Sequence, residues 1–185
     1  MEKIYLGGGC FWCVEAVFNQ VRGVQSALSG YMGGARPNPS YEQVCTGVSG
    51  HAEVVEVSFD PSQIELSQLL KIFFAIHDPT TLNRQGNDVG TQYRSAIFYT
   101  NEAQADIVRS VIAELVAEAW WTAPITTEVA AAPTFWVAED YHQNYLVRNP
   151  QQGYCLAVVA PKVAKFRRTF SQFLKNSDSG RQSFN

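Results

Sequence analysis

Three consecutive glycines, Gly7-Gly8-Gly9, stand between a short apolar stretch and a cysteine, and they constrain this chain more than any other feature. Glycine lets a backbone turn tightly without a Cβ penalty. Lys3 to Leu6 reads as a strand that the glycines break, and Phe11, Val14, Val17, Phe18 and Val21 then recur at helical spacing, which predicts a helix over Cys10 to Val21. The chain therefore begins strand, turn, helix.

The later segments extend that pattern. Val24 to Tyr31 is the next predicted strand, and after a loop rich in Gly, Pro and Asn, Glu53 to Phe59 is a third, stopped by Asp60-Pro61-Ser62. Leu66, Leu69, Leu70, Phe73, Phe74 and His77 trace one face of a helix that should end before Pro79, and Ser95 to Tyr99 supplies a fourth strand. The order strand, helix, strand, strand, helix, strand is that of a split βαβ unit, so the expected fold is α+β, a ferredoxin-like two-layer sandwich. Glu102 to Trp121 is predicted as a long helix, Ile125 to Ala130 as a strand, and Pro161 to Leu174 as a last helix opened by proline, with a long irregular C-terminal region around it. Lys175 to Asn185 is polar and expected to fray. With no internal repeat or linker, and 185 residues of which 46% are hydrophobic, positions 1–185 are expected to form a single catalytic domain. The loop Pro79 to Gln92 carries little secondary-structure signal but much Asn, Asp, Gln, Arg and Gly, a composition and length that point to function.

Charge and composition exclude several classes. The net charge of −3 and the absence of a basic cluster beyond Lys162 to Arg168 argue against nucleic acid. No apolar run reaches the length of a membrane span, and Met1 to Gly9 has no apolar signal-peptide core, so a cytoplasmic location is expected. Four unevenly spaced cysteines then read as reduced thiols rather than a disulfide framework.

Cys10 is the thiol best placed for chemistry. At a helix N-terminus, unpaired N–H groups and the dipole favour the thiolate, and the preceding glycines leave the sulfur approachable. Cys13 completes a Cys-x-x-Cys spacing, which admits a thioredoxin-like oxidoreductase acting through Cys10 and Cys13. The intervening Phe11 and Trp12 are bulky for a general disulfide exchanger and instead suggest a pocket wall around a small apolar group. A third reading is a binding module in which Phe11, Trp12, Glu53 and Asp88 cage a methylated ammonium. A metal site is not expected, because no second close cysteine pair follows and Cys45 and His51 match zinc-ligand spacing poorly. Cys45, in a hydrophobic stretch, is expected to be buried and unreactive.

Several ordered blocks carry a resemblance. They are Gly8-Gly9-Cys10-Phe11-Trp12, Gly30-Tyr31-Met32-Gly33-Gly34, Pro37-Asn38-Pro39-Ser40-Tyr41, Gly50-His51-Ala52-Glu53 and His77-Asp78-Pro79. Arg84 through Asp88, Gly90 through Ser95, Ala138 through Gln143 and Gly153-Tyr154-Cys155 continue them. In these the chain resembles the methionine sulfoxide reductases of the A type, the peptide-methionine (S)-S-oxide reductases. The resemblance implies that Cys10 is the nucleophile, that Phe11 and Trp12 hold the substrate S-methyl group, and that Tyr41, Glu53 and Tyr93 surround the sulfoxide oxygen with Asp88 close by. A carboxylic acid kept protonated in an apolar pocket suits a poor leaving oxygen, and tyrosine hydroxyls suit growing charge on it. Attack on sulfur would leave methionine and a Cys10 sulfenic acid, which a second thiol converts to a disulfide. The resemblance implies no bound cofactor, with thioredoxin as external reductant and free or protein-bound methionine sulfoxide as substrate. The sequence departs from the commonest family pattern where Cys13 replaces a frequent Gly and where Cys155 is the only tail cysteine. The resolving thiol is therefore Cys155, the favoured choice, or Cys13.

Overall fold

A computed structural model describes residues 1–176. β1 (Glu2–Gly7) leads through the glycine turn to α1 (Phe11–Phe18), β2 (Val24–Met32), the short α2 (Tyr41–Cys45) and β3 (Ala52–Phe59). α3 (Leu66–Ile76), the two-residue strands β4 (Arg84–Gln85) and β5 (Asp88–Val89), and β6 (Ala96–Tyr99) follow. α4 (Glu102–Ala117), β7 (Glu128–Ala131), β8 (Trp136–Val137), α5 (Tyr145–Arg148), a π-helical turn (Cys155–Val159) and α6 (Ala160–Thr169) complete the chain.

Six strands form one mixed sheet in the order β7-β6-β1-β3-β2-β8. β6 and β7 run parallel and every other neighbouring pair is antiparallel. β3 is central and buried along most of its length, so its two faces serve different cores. Alternation sends Val55, Val57 and Phe59 into the main core with Phe11, Val14, Val17, Leu69, Leu70 and Phe73. Ala52 and Val54 join a smaller core with Met32, Ala96 and Phe98 on the opposite face. Glu53 shares the alternation of Val55, which aims its carboxylate at the N-terminus of α1.

Helix boundaries show where local patterns yield to packing. α1 ends at Phe18, before the predicted Val21, which is instead fully buried at an isolated bridge to Leu174. α4 stops at Ala117, short of the predicted Trp121, because Ala119 takes a positive φ of 57° and reverses the chain. That reversal brings Trp121 edge-on to Phe74, ring centroids 5.6 Å apart. β7 starts at Glu128, later than the predicted Ile125. The C-terminal region is more helical than expected: the π turn at Cys155–Val159 runs directly into α6, which ends at Thr169. Of the expected frayed tail, positions 177–185 lie outside the described residues.

No helix among the described residues is long and apolar enough to cross a membrane.

Candidate active site

Gly9 sets the position of the thiol. It holds φ at +86°, and a β-carbon there would come within 2.6 Å of Gln85 Cγ, so both conformation and space call for glycine. Cys10 follows at the N-cap of α1 with extended ψ of 125°, and its carbonyl accepts the Cys13 N–H at 3.2 Å. The Phe11 N–H, left free at the helix start, donates to Glu53 Oε1 at 3.1 Å. The helix N-terminus and the central strand thus bring a thiol and a carboxyl together.

Cys10, Phe11, Trp12, Tyr41, Glu53, Asp88 and Tyr93 all line one cavity of about 250 Å³, completed by Gln152 and Tyr154. Tyr41 is delivered by the first residue of α2, whose start is fixed by a Ser40–Gln43 capping box. Asp88 comes from the β4-β5 hairpin, within the Pro79 to Gln92 loop expected to be functional, and Tyr93 from the turn Thr91–Tyr93 at the end of that loop. Asp88 Oδ2 accepts the Tyr154 hydroxyl at 2.6 Å. A larger cavity of about 830 Å³, lined by Phe74, Trp121, Lys162, Phe166 and Phe170 among others, holds none of the cysteines.

Burial dominates the electrostatics. Glu53 is 2% exposed, and burial pushes its carboxyl up to about 8, opposed by the Phe11 N–H and reinforced by the charge of Asp88. It holds its proton at neutral pH. Burial likewise raises the Tyr41 and Tyr93 hydroxyls, leaving both as donors. Cys10 differs from the expectation of a ready thiolate. Burial, then the nearby Glu53, Cys13 and Asp88, push its thiol well above the usual range, and the Trp12 N–H offsets only part of this. The helix start lowers the cost of the thiolate without overcoming desolvation.

Trp12 is braced from behind. Its indole N–H donates to His142 Nδ1 at 3.1 Å, and its ring stacks on Tyr145 with centroids 3.6 Å apart and planes 3° from parallel. Tyr154 meets it edge-on at 5.8 Å. Because His142 Nδ1 is an acceptor and burial lowers the pKa of the ring, the imidazole is neutral. None of these braces was given a role in the sequence reading. Tyr154 and His142 both lie inside motif blocks, but their contacts with the indole, and the stacking of Tyr145, become visible only when the chain closes over α1.

The other cysteines separate. Cys13 and Cys155 are buried in the main core and do not line the cavity. Cys45 is exposed, contrary to the expected burial, because the five-residue α2 turns Val44 inward and leaves Cys45 at its outer end. Among the described residues, no three His, Cys, Asp or Glu side chains come together as a metal site.

A buried thiol sharing a small pocket with an aromatic wall, a protonated carboxyl and tyrosine hydroxyls is the arrangement of a thiol-dependent oxidoreductase. Residues 2–174 match the family described as peptide methionine sulfoxide reductase. The chain belongs to that family. It is 60% identical over 176 residues to peptide methionine sulfoxide reductase MsrA of Chromobacterium violaceum, covering 95% of this chain and 100% of that one. With the MsrA of Polynucleobacter asymbioticus it shares 57% identity over 174 residues, 94% of this chain and 92% of that one. Among solved structures it is similar to methionine sulfoxide reductase A of Corynebacterium diphtheriae, with TM-score 0.72, 40% identity and coverage of 82% and 76% of the two chains. Mxr1 of Saccharomyces cerevisiae in reduced form gives TM-score 0.76 at 36% identity, covering 83% of this chain and 88% of that one. The complex of Mxr1 with Trx2 gives TM-score 0.53 at 25% identity over 78% of this chain and 84% of that one.

Proposed function

We propose that this protein reduces methionine S-sulfoxide, free or within proteins, through attack by Cys10. The observation that carries this is the shared cavity: one small space joins the thiol of Cys10, an aromatic wall at Phe11 and Trp12, and three proton donors at Glu53, Tyr41 and Tyr93. Its volume of about 250 Å³ suits a single side chain, since sites for larger ligands span roughly 300–1,000 Å³.

The S-methyl group packs against Phe11 and Trp12. Glu53 and the two tyrosine hydroxyls bind the sulfoxide oxygen, so the Cys10 sulfur attacks the polarised substrate sulfur, and the buried thiol passes its proton to the Glu53 carboxyl as that group delivers its own to oxygen. A Cys10 S–O bond forms, the substrate S–O bond breaks, and methionine leaves a Cys10 sulfenic acid. A second thiol then displaces water to form a disulfide, which thioredoxin reduces by exchange. The Mxr1–Trx2 complex supports that reductant.

The neutral state of Glu53 removes one of the two carboxylates that a cage for methylated ammonium would set around the cation. Cys13, buried behind the wall, lacks the open approach of a general disulfide exchanger.

We assign the resolving role to Cys155, adjacent in sequence to the cavity-lining Tyr154 and carried by the π turn. Mapping the disulfide of oxidised enzyme by mass spectrometry should give Cys10–Cys155, and a dominant Cys10–Cys13 bridge would overturn that choice. Trp12→Ala should raise the KM for methionine sulfoxide roughly 10- to 100-fold with a smaller change in kcat, as expected for a lost apolar wall. Steady-state kinetics on free methionine sulfoxide checks this, and an unchanged KM would place the methyl group elsewhere. We further read the four strands β6-β1-β3-β2 with α1 and α3 as a ferredoxin-like core, the whole chain as one catalytic domain, and its location as cytoplasmic. The sheet order and the single main core running from β1 to α6 support the first two readings.

A further inference from the structure

Glu15 is a buried carboxylate with no part in the chemistry above. It lies in the second turn of α1, 2% exposed, and a buried carboxylate is costly unless hydrogen bonds compensate it. Its Oε1 accepts the Asn144 N–H at 2.9 Å, a bond that opposes the burial which raises the carboxyl to about 7. Asn144 sits in the left-handed region at φ 53°, where the chain turns between His142 and Tyr145. Those two residues are the acceptor and the stacking partner of Trp12.

The neighbouring anchors place the same segment. Gln143 pairs its side-chain amide with Ser29 N and O at 3.0 and 2.9 Å. Glu139 accepts from the Tyr31 hydroxyl at 3.0 Å and from the Tyr41 N–H at 3.1 Å. No residue from 139 to 145 lines the cavity, yet the segment touches three of its walls, Phe11, Trp12 and Tyr41. Glu15 reaches this segment from within the helix that bears Trp12, and Asn19, at the C-cap of that helix, donates its exposed side-chain amide to Asn144 Oδ1 at 3.3 Å.

We propose that Glu15 is a positioning residue for the sulfoxide pocket, holding the Asn144 turn so that His142 and Tyr145 stay seated on Trp12. The inference rests on the sulfoxide reductase reading. It specifies how the methyl-binding wall is kept rigid rather than what the nucleophile does.

Glu15→Leu removes the acceptor, Glu15→Asp withdraws it by one methylene, and Glu15→Gln keeps an amide oxygen in reach of the Asn144 N–H. The Leu and Asp variants should raise the KM for methionine sulfoxide roughly tenfold, the order expected when a remote change misplaces a binding group, while kcat stays within about twofold. Glu15→Gln should restore the wild-type KM. Wild-type enzyme assayed in parallel separates the two ideas: absence of turnover there overturns the sulfoxide reductase reading itself. With wild-type turnover intact, an unchanged KM in Glu15→Asp overturns the positioning role, as does equal loss of kcat in the Gln and Asp variants. Should Glu15→Leu fail to fold by circular dichroism, the Asp and Gln pair decides alone.

Discussion

Cys10→Ser is expected to lower methionine sulfoxide turnover by roughly 10⁵- to 10⁶-fold, the scale on which loss of a covalent nucleophile acts. The side chain is 9% exposed and one atom is exchanged, so the fold should persist and the loss should not be one of structure. Serine at this position stays a neutral hydroxyl and forms no sulfenic acid. Cys10 itself begins as a thiol, since burial and the nearby Glu53, Cys13 and Asp88 raise it. Alkylation by iodoacetamide in the absence of substrate should therefore be slow at neutral pH and should accelerate only above the ordinary thiol range. Retained turnover in Cys10→Ser, with methionine identified as the product, would remove the thiol from the mechanism.

Glu53→Gln should slow oxygen transfer by about 10²- to 10⁴-fold, the usual contribution of a positioned general acid, because the amide still accepts the Phe11 N–H but has no acidic proton to give. The pH dependence carries the sign. Burial raises the carboxyl to about 8, so the acid form prevails below that value and its contribution is lost as pH climbs through it. Single-turnover rates should show that descending limb in the wild type and lack it in Glu53→Gln. Stability gives a second readout with the same sign. A folded-state pKa above the unfolded value gives stability fully present below the ordinary carboxylate range and lost as pH rises through about 8. Thermal unfolding between pH 5 and 9 should thus destabilise the wild type more than Glu53→Gln, with buried Glu15, raised to about 7, contributing equally to both. A limb near pH 8 that survives in Glu53→Gln would assign the acid role to another group.

The glycine turn, the Cys10 helix start and the strand over Glu53 were legible because each rests on local chemistry: a left-handed glycine, helical spacing, and alternation along a buried strand. Seven of the nine site residues named from sequence meet in one cavity because their motifs lie at the ends of α1, α2 and β3, on the β4-β5 hairpin and on the Thr91–Tyr93 turn, whereas the candidate resolving thiols Cys13 and Cys155 do not line it. What sequence did not reveal lies at long range. His142 is 130 positions from the indole it accepts, and Glu15 is 129 from the Asn144 N–H it holds. The exposure of Cys45 was hidden by an apolar neighbourhood, since in so short a helix Val44 takes the inward side. At Cys10 two local effects oppose each other: a helix N-terminus favours a thiolate, but a site dry enough to keep Glu53 protonated also disfavours the charged sulfur.

The central claim is that Cys10 takes the oxygen from methionine S-sulfoxide inside this cavity. Reduced enzyme mixed with separated sulfoxide epimers, without external reductant and with a sulfenic acid trap present, tests it most directly. The S epimer should yield about one methionine per enzyme with the trap on Cys10, a single oxygen transfer per thiol, and the R epimer should yield none. Methionine formed from the R epimer alone, or trap found on another cysteine with Cys10 unmodified, would contradict it.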